Sequence, residues 1–595
     1  MDSEKRPKLV LDGDDFFGRP WPDDTRTNAG HPDMDGFPLT GELDLIDTYM
    51  EAIESLEGFG TNSPIYVPLE YRPDKLPTPT DTTSTDGLLW LLDIDAESPE
   101  RGQLVPLNAR YQDVETLWQR ADLLSVQPVW GFPLRPRTTY ALVLSTDFIA
   151  PVEDWRTQEN WTELDAVLLQ LRVDPDRIAY AFQFTTQDPV GEMARFEERI
   201  AHDLDTPALD QEIQRFQNNT FMGAYEGEMW IPVWQHGQKP YFSSGGAFQY
   251  DDANMPILAG WEKVLFTLSL PKGSMPEAGW PVTIYGHGTG GNSRGFANES
   301  DPLEPANMLG DAGIAGFGIS LPMHGDRITN IDPALASFNY LNPDSARAVF
   351  RQGALDQLYL AELLTSQQHA FDLPDGSQAK LNPDKVAYMG HSHGGLVGAI
   401  AGPFFGDRVE AVFLSGAGGG LSTTVVTRDA GDFDIQGLLK TSLNFSADDE
   451  LVESHPVIAM VQTLGEVTDP INYAPYWNSR TPFWDTQSIS VLMTEGLNDI
   501  QTPPDTAEAL AASGRLPLLA PAAHVSTAHR LQGGGTLALP ATGNRRAWDG
   551  KRVTAGLSQY ENEDHFAIFN NEDAATLYQH YLRTALMEGA PEIQD

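Results

Sequence analysis

The stretch 385–398, KVAYMGHSHGGLVG, limits what this chain can fold into more than any other. Val386, Tyr388 and Met389 form a short apolar run suited to a buried parallel strand. The run breaks at Gly390-His391-Ser392-His393-Gly394, a G-x-S-x-G pentapeptide, and small residues follow at Gly395, Gly398 and Ala399. A sharp strand-to-helix turn of this kind holds a serine in a strained conformation with its hydroxyl exposed. Glycines beside it admit neighbouring backbone that a Cβ would exclude. The pentapeptide alone is a common pattern. The strand before it, the helix start after it and the third glycine single it out.

A serine hydroxyl is a poor nucleophile until an imidazole removes its proton, and that imidazole needs an acid to orient it. Around such a turn the chain order is serine, acid, histidine. An acid is therefore expected just past a later strand, and a histidine beyond the last one. The apolar segment 488–494 runs into Glu495-Gly496-Leu497-Asn498-Asp499, which places Asp499 on the loop at the strand's carboxyl end. Glu495 is the rival, but it precedes the glycine and is expected still to lie in the strand. Past the final strand, 551–560, comes Glu561-Asn562-Glu563-Asp564-His565; of 13 histidines, His565 is the one at the required station. His524, His529 and His580 are expected to be surface or packing residues.

The oxyanion of a tetrahedral intermediate needs N–H donors. One comes from the residue after the nucleophile, here His393, and the other from the loop after an early strand. Gly286-His287-Gly288-Thr289-Gly290-Gly291 occupies that place, with the N–H of Thr289 as the expected donor and Gly288 as the fallback. His391 and His393 cannot act as bases from inside the turn and are expected in the pocket wall. His287, His391 and Trp477 are the candidate substrate contacts. Arg351 and Asp356, on the helix before the elbow strand, are expected to brace loops by ion pairing.

Charge and composition remove several function classes. With 85 acidic against 38 basic residues the net charge is −47, a surface that repels nucleic acid and anionic membrane. No nucleic-acid partner is expected. Carboxylates invite calcium, but no D-x-[DN]-x-[DN]-G loop occurs; Asp429, Asp432 and Asp434 are the nearest approach, and no metal site is assigned. Neither H-E-x-x-H nor G-x-x-x-x-G-K-[ST] is present, so neither a catalytic metal nor a phosphate cradle is expected. Without cysteine there is no disulfide, thiolate metal site or Cys nucleophile. No apolar run approaches the roughly 18 residues of a membrane-spanning helix. Residues 1–8 are polar and lack the apolar core of an export signal, which fits a cytoplasmic chain or a trimmed exported one.

At 595 residues the chain is too long for one ordinary core. Residues 1–60, rich in Asp, Gly and Pro, are expected to be an irregular arm whose Phe16, Phe17, Trp21 and Phe37 dock on a neighbouring domain. Short β-type runs separated by turn signals over 61–189 predict a β-sandwich. The charged amphipathic stretch 190–216 predicts a helix, within a linker over 190–220. From 221 to 595 strands alternate with helices, which predicts an α/β fold with a mostly parallel sheet covered on both faces. Within it, 416–487 is expected to be a helical cap insertion over the strand ends, with an aromatic tail that includes Trp477.

Together these residues resemble the α/β-hydrolase superfamily. GHSHGG is similar to the lipase and esterase box, GHGTGG to the oxyanion loop, GLND to the acid loop and EDHF to the histidine loop. More loosely, DFFGRPWPDDTR and LRPRTTYALVLS resemble large secreted bacterial lipases and esterases with an N-terminal Ig-like domain. The resemblance implies a serine carboxylic-ester hydrolase needing no cofactor, acting on an ester-bearing small molecule, lipid or polymer, and located outside the cell or in its envelope. A serine peptidase or amidase on the same fold, and a binding or adhesion protein using the fold as scaffold, are the alternatives.

Overall fold

Strands alternating with helices from residue 221 onward require a sheet covered on both faces, and the computed structural model contains one. The structure describes residues 6–11, 15–157, 160–204, 209–298, 300–429 and 435–594. They divide into two units. One comprises Met1–Pro189 with Leu421–Thr427 and Asp434–Val467; the other comprises Val190–Gly420, Arg428–Phe433 and Thr468–Asp595.

The second unit is built on a mixed sheet. Its main path runs Gln214–Asn218, Met222–Val233, Gly260–Pro271, Ala315–Ile319, Trp280–Gly286, Gln378–His391, Val412–Ser415, Val491–Gly496, Ala555–Tyr560, Leu518–Leu519 and Thr536–Leu537. The first three pairings are antiparallel, and every pairing from Ala315–Ile319 onward is parallel. Val386 and Tyr388 face the apolar cluster shared with helix Pro343–Ser366, while Ala387 and Met389 face the one shared with Glu572–Glu588. Both faces being covered, the central strands read as continuous apolar runs rather than alternating ones. Each Val, Leu or Phe buried this way contributes roughly 1.5–3 kcal/mol. A mostly parallel sheet with helices on both faces is the α/β architecture that the alternation of strands and helices predicts.

A buried ion network fixes the loop after Ala315–Ile319. Arg327 donates to Asp356 Oδ2 at 2.5 Å, to Glu262 Oε2 at 3.1 Å and to the Ser320 carbonyl at 3.0 Å. Arg351 pairs instead with Glu192. Among the described residues of 190–220 the helix spans Gly191–His202, and Gln214–Asn218 is an edge strand against Met222–Val233. There the open N–H and C=O groups of the long neighbouring strand outweigh the charged helical pattern.

The first unit holds two antiparallel sheets. The order is Ile65–Pro68, Leu123–Pro128, Leu107–Gln112 in one and Leu104–Val105, Leu89–Asp93, Thr139–Ser145, Ile178–Thr185 in the other. Leu123–Pro128 and Leu89–Asp93 are buried at every position. The stretch 15–60 is more regular than its composition suggests. Helix Asp44–Glu54 buries Ile46, Tyr49, Met50 and Ile53, an i, i+3, i+4, i+7 stripe. Phe16, Phe17, Trp21 and Phe37 form one ring cluster, with Arg26 stacked over Phe16 and Trp21.

The insertion 416–487 is shared between the units. Leu421–Thr427, Ile435–Ser442 and Pro456–Gly465 belong to the first, while Tyr473, Tyr476 and Trp477 join the core of the second. In the first unit the buried Glu466 carboxylate accepts the N–H groups of Thr61 and Asn62, the hydroxyls of Thr61 and Ser63, and Gln187 Nε2–H. Among the described residues no helix is long and apolar enough to cross a membrane.

Candidate active site

Ser392 sits between strand Gln378–His391 and helix His393–Ala401 with φ 55° and ψ −119°. A non-glycine residue in that region costs on the order of 1–3 kcal/mol and persists only where its surroundings over-determine it. Here they do. Ser392 N–H donates to the Ser415 carbonyl at 2.8 Å, and Gly394 N–H to the His287 carbonyl at 2.9 Å. The buried Tyr388 hydroxyl donates to the Gly394 carbonyl at 2.6 Å. A methyl on Gly394 would overlap the Gly286 carbonyl, and one on Gly390 the Gly394 carbonyl. Ser392 itself is only half-buried, so its hydroxyl is reachable.

Asp499 and His565 meet at the carboxyl ends of adjacent strands, Val491–Gly496 and Ala555–Tyr560. His565 Nδ1 lies 2.6 Å from Asp499 Oδ2, with both side chains buried. Asp499 Oδ1 accepts the N–H groups of Gln501 and Thr502, each at 2.8 Å. The carboxylate is thus an acceptor on both oxygens, so His565 donates from Nδ1 and its Nε2 carries the free lone pair. The two loops are also tied through backbone: Leu497 N–H donates to the Tyr560 carbonyl at 3.0 Å and Asn498 N–H to that of Glu563 at 2.9 Å.

Gly416, directly after Ser415, brings the histidine to the elbow. A methyl placed on it would stand 2.9 Å from His565 Cε1. Among the described residues no hydrogen bond joins Ser392 Oγ to His565. In free enzymes such contacts are commonly long and tighten only with substrate.

The glycine-rich loop lies against the serine: a methyl on Gly288 would stand 3.2 Å from Ser392 Cβ and 3.7 Å from Oγ. Thr289 Oγ1 is 3.4 Å from His393 Nδ1, which links the two expected oxyanion-donor residues through their side chains. The N–H of His393 is among the first-turn donors that a helix cannot satisfy internally.

The flanking histidines serve the scaffold. Leu321 N–H donates to His287 Nε2 at 2.9 Å, so the ring proton is on Nδ1 and donates to the Gly288 carbonyl at 2.8 Å. Burial pushes His287 down to about 3 and holds it neutral. With both nitrogens hydrogen-bonded, it braces the glycine-rich loop. His391 is buried against His565, Phe566 and Phe569, and burial depresses its pKa strongly. The His393 ring stacks on Phe350 at 4.4 Å and meets His324 edge-on, and burial depresses it likewise.

Trp477 is not where the sequence put it. It is 1% exposed, its Nε1–H donates to the Ala399 carbonyl at 3.0 Å, and Gly402 and Gly514 admit its indole. It is a core residue, because the aromatic tail of the insertion packs beneath the elbow helix. Glu495 lies within its strand, bonded to Gln559 rather than to His565. His524 pairs with Glu508, His529 with Ser526 and the Leu516 carbonyl, and His580 with Glu592.

Sequence reasoning missed Tyr388 and His324 as supports. Tyr388 reads as one apolar residue among others, and only its contact with Gly394 marks its hydroxyl. Of the acidic candidates, Asp432 and Asp434 lie outside the described residues. Among the described residues three carboxylates, Asp33, Asp35 and Glu54, come within 4.8 Å of one another, on the surface of the first unit.

No protein-family model matches the sequence, and no curated protein does. Solved structures with a distantly similar fold include acetyl xylan esterase 1 from a Thermoanaerobacterium species, at 15% identity over 66% of this chain and 94% of that one, with a TM-score of 0.39. An acetyl xylan esterase from a Paenibacillus species matches at 14% identity over 65% and 94%, with a TM-score of 0.38. An acylaminoacyl peptidase from Pyrococcus horikoshii matches at 10% identity over 61% of this chain and 48% of that one, with a TM-score of 0.31. Likenesses this distant carry no activity or substrate across.

Proposed function

We propose that this protein is a serine carboxylic-ester hydrolase with Ser392, His565 and Asp499 as its catalytic set. The observation that carries the proposal is Ser392, held at φ 55° in a strand-to-helix turn by three hydrogen bonds and two close glycine contacts. Strain maintained at a reachable serine makes structural sense where the hydroxyl must be presented. The contact between His565 and Asp499 supports it by fixing the tautomer that leaves Nε2 free as a base.

Ser392 Oγ attacks the ester carbonyl carbon as His565 Nε2 takes its proton, and Asp499 stabilises the imidazolium. The amides of His393 and Thr289, with Gly288 as the alternative, receive the oxyanion; one such donor is worth about 3–4 kcal/mol of transition-state stabilisation. The tetrahedral adduct collapses, His565 returns the proton to the departing alcohol, and the acyl group stays on Ser392. Water, deprotonated by His565, then releases the acid.

Ile500, 56% exposed, and Phe566, 41% exposed, directly follow Asp499 and His565 in sequence, which favours esters with an apolar acyl or alcohol part, lipids and polyesters included. The two antiparallel sheets of the first unit fit a β-sandwich of Ig-like type. An exported or envelope location fits that combination.

A fluorophosphonate should label Ser392, and p-nitrophenyl esters should be turned over. Ser392→Ala should abolish both, and ester turnover unchanged in that variant would falsify the assignment.

A further inference from the structure

Glu495 and Glu508 are both buried, and the reaction above uses neither. Glu495 lies near the end of the strand that delivers the Asp499 loop, and Glu508 lies in helix Pro504–Ser513, which leaves that loop. Gln559 stands in register with Glu495 on Ala555–Tyr560, the strand from which the chain runs on to His565. Its Nε2–H donates to Glu495 Oε1 at 2.8 Å and to Glu508 Oε1 at 3.1 Å. Its Oε1 accepts the N–H groups of Ala523 and His524, both at 3.0 Å, which fixes the end of the amide that faces the acids. Glu495 Oε2 and Glu508 Oε2 meet no hydrogen-bond partner among the described residues.

The other charged groups facing this pair are Asp499, Asp505 and the half-exposed His524 ring, 2.5 Å from Glu508 Oε1. Two ionised carboxylates on one amide, with a single half-exposed imidazole as counter-charge, are poorly sustained in a dry site. Burial, then Glu508 beside it, pushes the Glu495 carboxyl well above the usual range, with Asp499 and Asp505 adding to the push. Burial raises Glu508 too, against the pull of His524. The groups titrate as a pair rather than singly.

We propose that Glu495, Glu508 and Gln559 are positioning residues that clamp the root of the acid loop to the root of the histidine loop, and that the clamp holds only while at least one of the two carboxyls is protonated. The proposal rests on Ser392, His565 and Asp499 being the hydrolytic set. Removing the proton leaves two negative charges side by side on one neutral NH2 group. The strand end and the helix then separate, and Asp499 and His565 lose the register of their 2.6 Å contact.

The test is the pH dependence of kcat and KM for a soluble p-nitrophenyl ester on the full chain, with fluorophosphonate labelling at each pH. In the wild type, kcat falls as rising pH removes the pair's last proton, while KM changes less than threefold. Glu495→Gln and Glu508→Gln, neutral at every pH, each move that fall upward by one pH unit or more. Glu495→Ala, which cannot reach Gln559, lowers kcat at least tenfold at every pH, and the glutamine variant at the same position recovers most of it. A high-pH limb unmoved in both glutamine variants, with Ser392 still labelled, overturns the clamp alone. A wild-type Ser392 that takes no label overturns the hydrolase assignment and the clamp with it.

Discussion

Asp499→Asn isolates the contact on which hydrolysis should depend most. The change keeps the side chain's shape and one of its oxygens. Asp499 Oδ1 is held by the N–H groups of Gln501 and Thr502 at 2.8 Å each, and Oδ2 faces His565 Nδ1 at 2.6 Å. An asparagine that keeps its oxygen toward the two backbone donors must turn its NH2 to His565. The opposite orientation loses two hydrogen bonds of about 1 kcal/mol each and strands their buried donors at about 1–3 kcal/mol apiece. The first orientation therefore wins by roughly 4 kcal/mol or more. His565 must then accept at Nδ1 and carry its proton on Nε2, the wrong tautomer to deprotonate Ser392. The expected loss in kcat is on the order of ten-thousand-fold, with KM little changed. That is about 5–6 kcal/mol of transition-state free energy. Initial rates on a p-nitrophenyl ester should be compared with Glu495→Gln at neutral pH, and urea denaturation should show the fold retained. A kcat for Asp499→Asn within tenfold of wild type, or a ten-thousand-fold loss in Glu495→Gln instead, refutes the assignment of the acid.

Three further outcomes follow from the geometry. Gly288→Ala places a methyl 3.2 Å from Ser392 Cβ and should lower kcat at least tenfold through the oxyanion loop, with urea stability shifted by less than about 1 kcal/mol; unchanged steady-state rates would remove this loop from the site. Glu466→Ala strands the buried N–H groups of Thr61 and Asn62 and should cost the first unit about 3–5 kcal/mol. Hydrogen exchange at 61–67 reads that loss, and protection equal to wild type contradicts it. Burial lowers the His455 pKa from 6.5 to about 4, so the unfolded chain takes up this proton first. Stability is therefore full above about pH 6.5 and is lost as pH falls toward 4, by about 3 kcal/mol from this group. His455→Gln should flatten that slope in urea melts, and an identical slope in the variant argues against it.

The positions proposed to carry the chemistry were the most legible part of the sequence, for a physical reason. An elbow needs glycines where backbones touch, and the acid and histidine must follow strands that end on the same side of a parallel sheet. Gly390, Gly394, Asp499 and His565 could thus be located from spacing alone, and the structure brings Asp499 and His565 together. Trp477 could not: an aromatic residue late in an insertion reads the same whether it lines a pocket or packs under a helix. The helix at Asp44–Glu54 was hidden by neighbouring Gly and Pro despite a clean apolar stripe. The edge strand Gln214–Asn218 was obscured by charge, since its pairing is set by the strand beside it. Glu508 and Gln559 gave no signal at all, because what distinguishes them is a shared neighbour more than sixty residues before Gln559.

The hydrogen bonds around Glu466 bear on how the polypeptide is made. During synthesis, residues 61–63 leave the ribosome some four hundred positions ahead of the carboxylate that satisfies them. The amino-terminal unit can therefore collapse early but cannot close until the strand that leads to Ser392 has also been made, so the two halves of the chain must mature together rather than in turn. A protein cut at residue 189 would lack its own closing residues, and gene fusions that borrow the amino-terminal sheets would need residues 421–467 supplied alongside them.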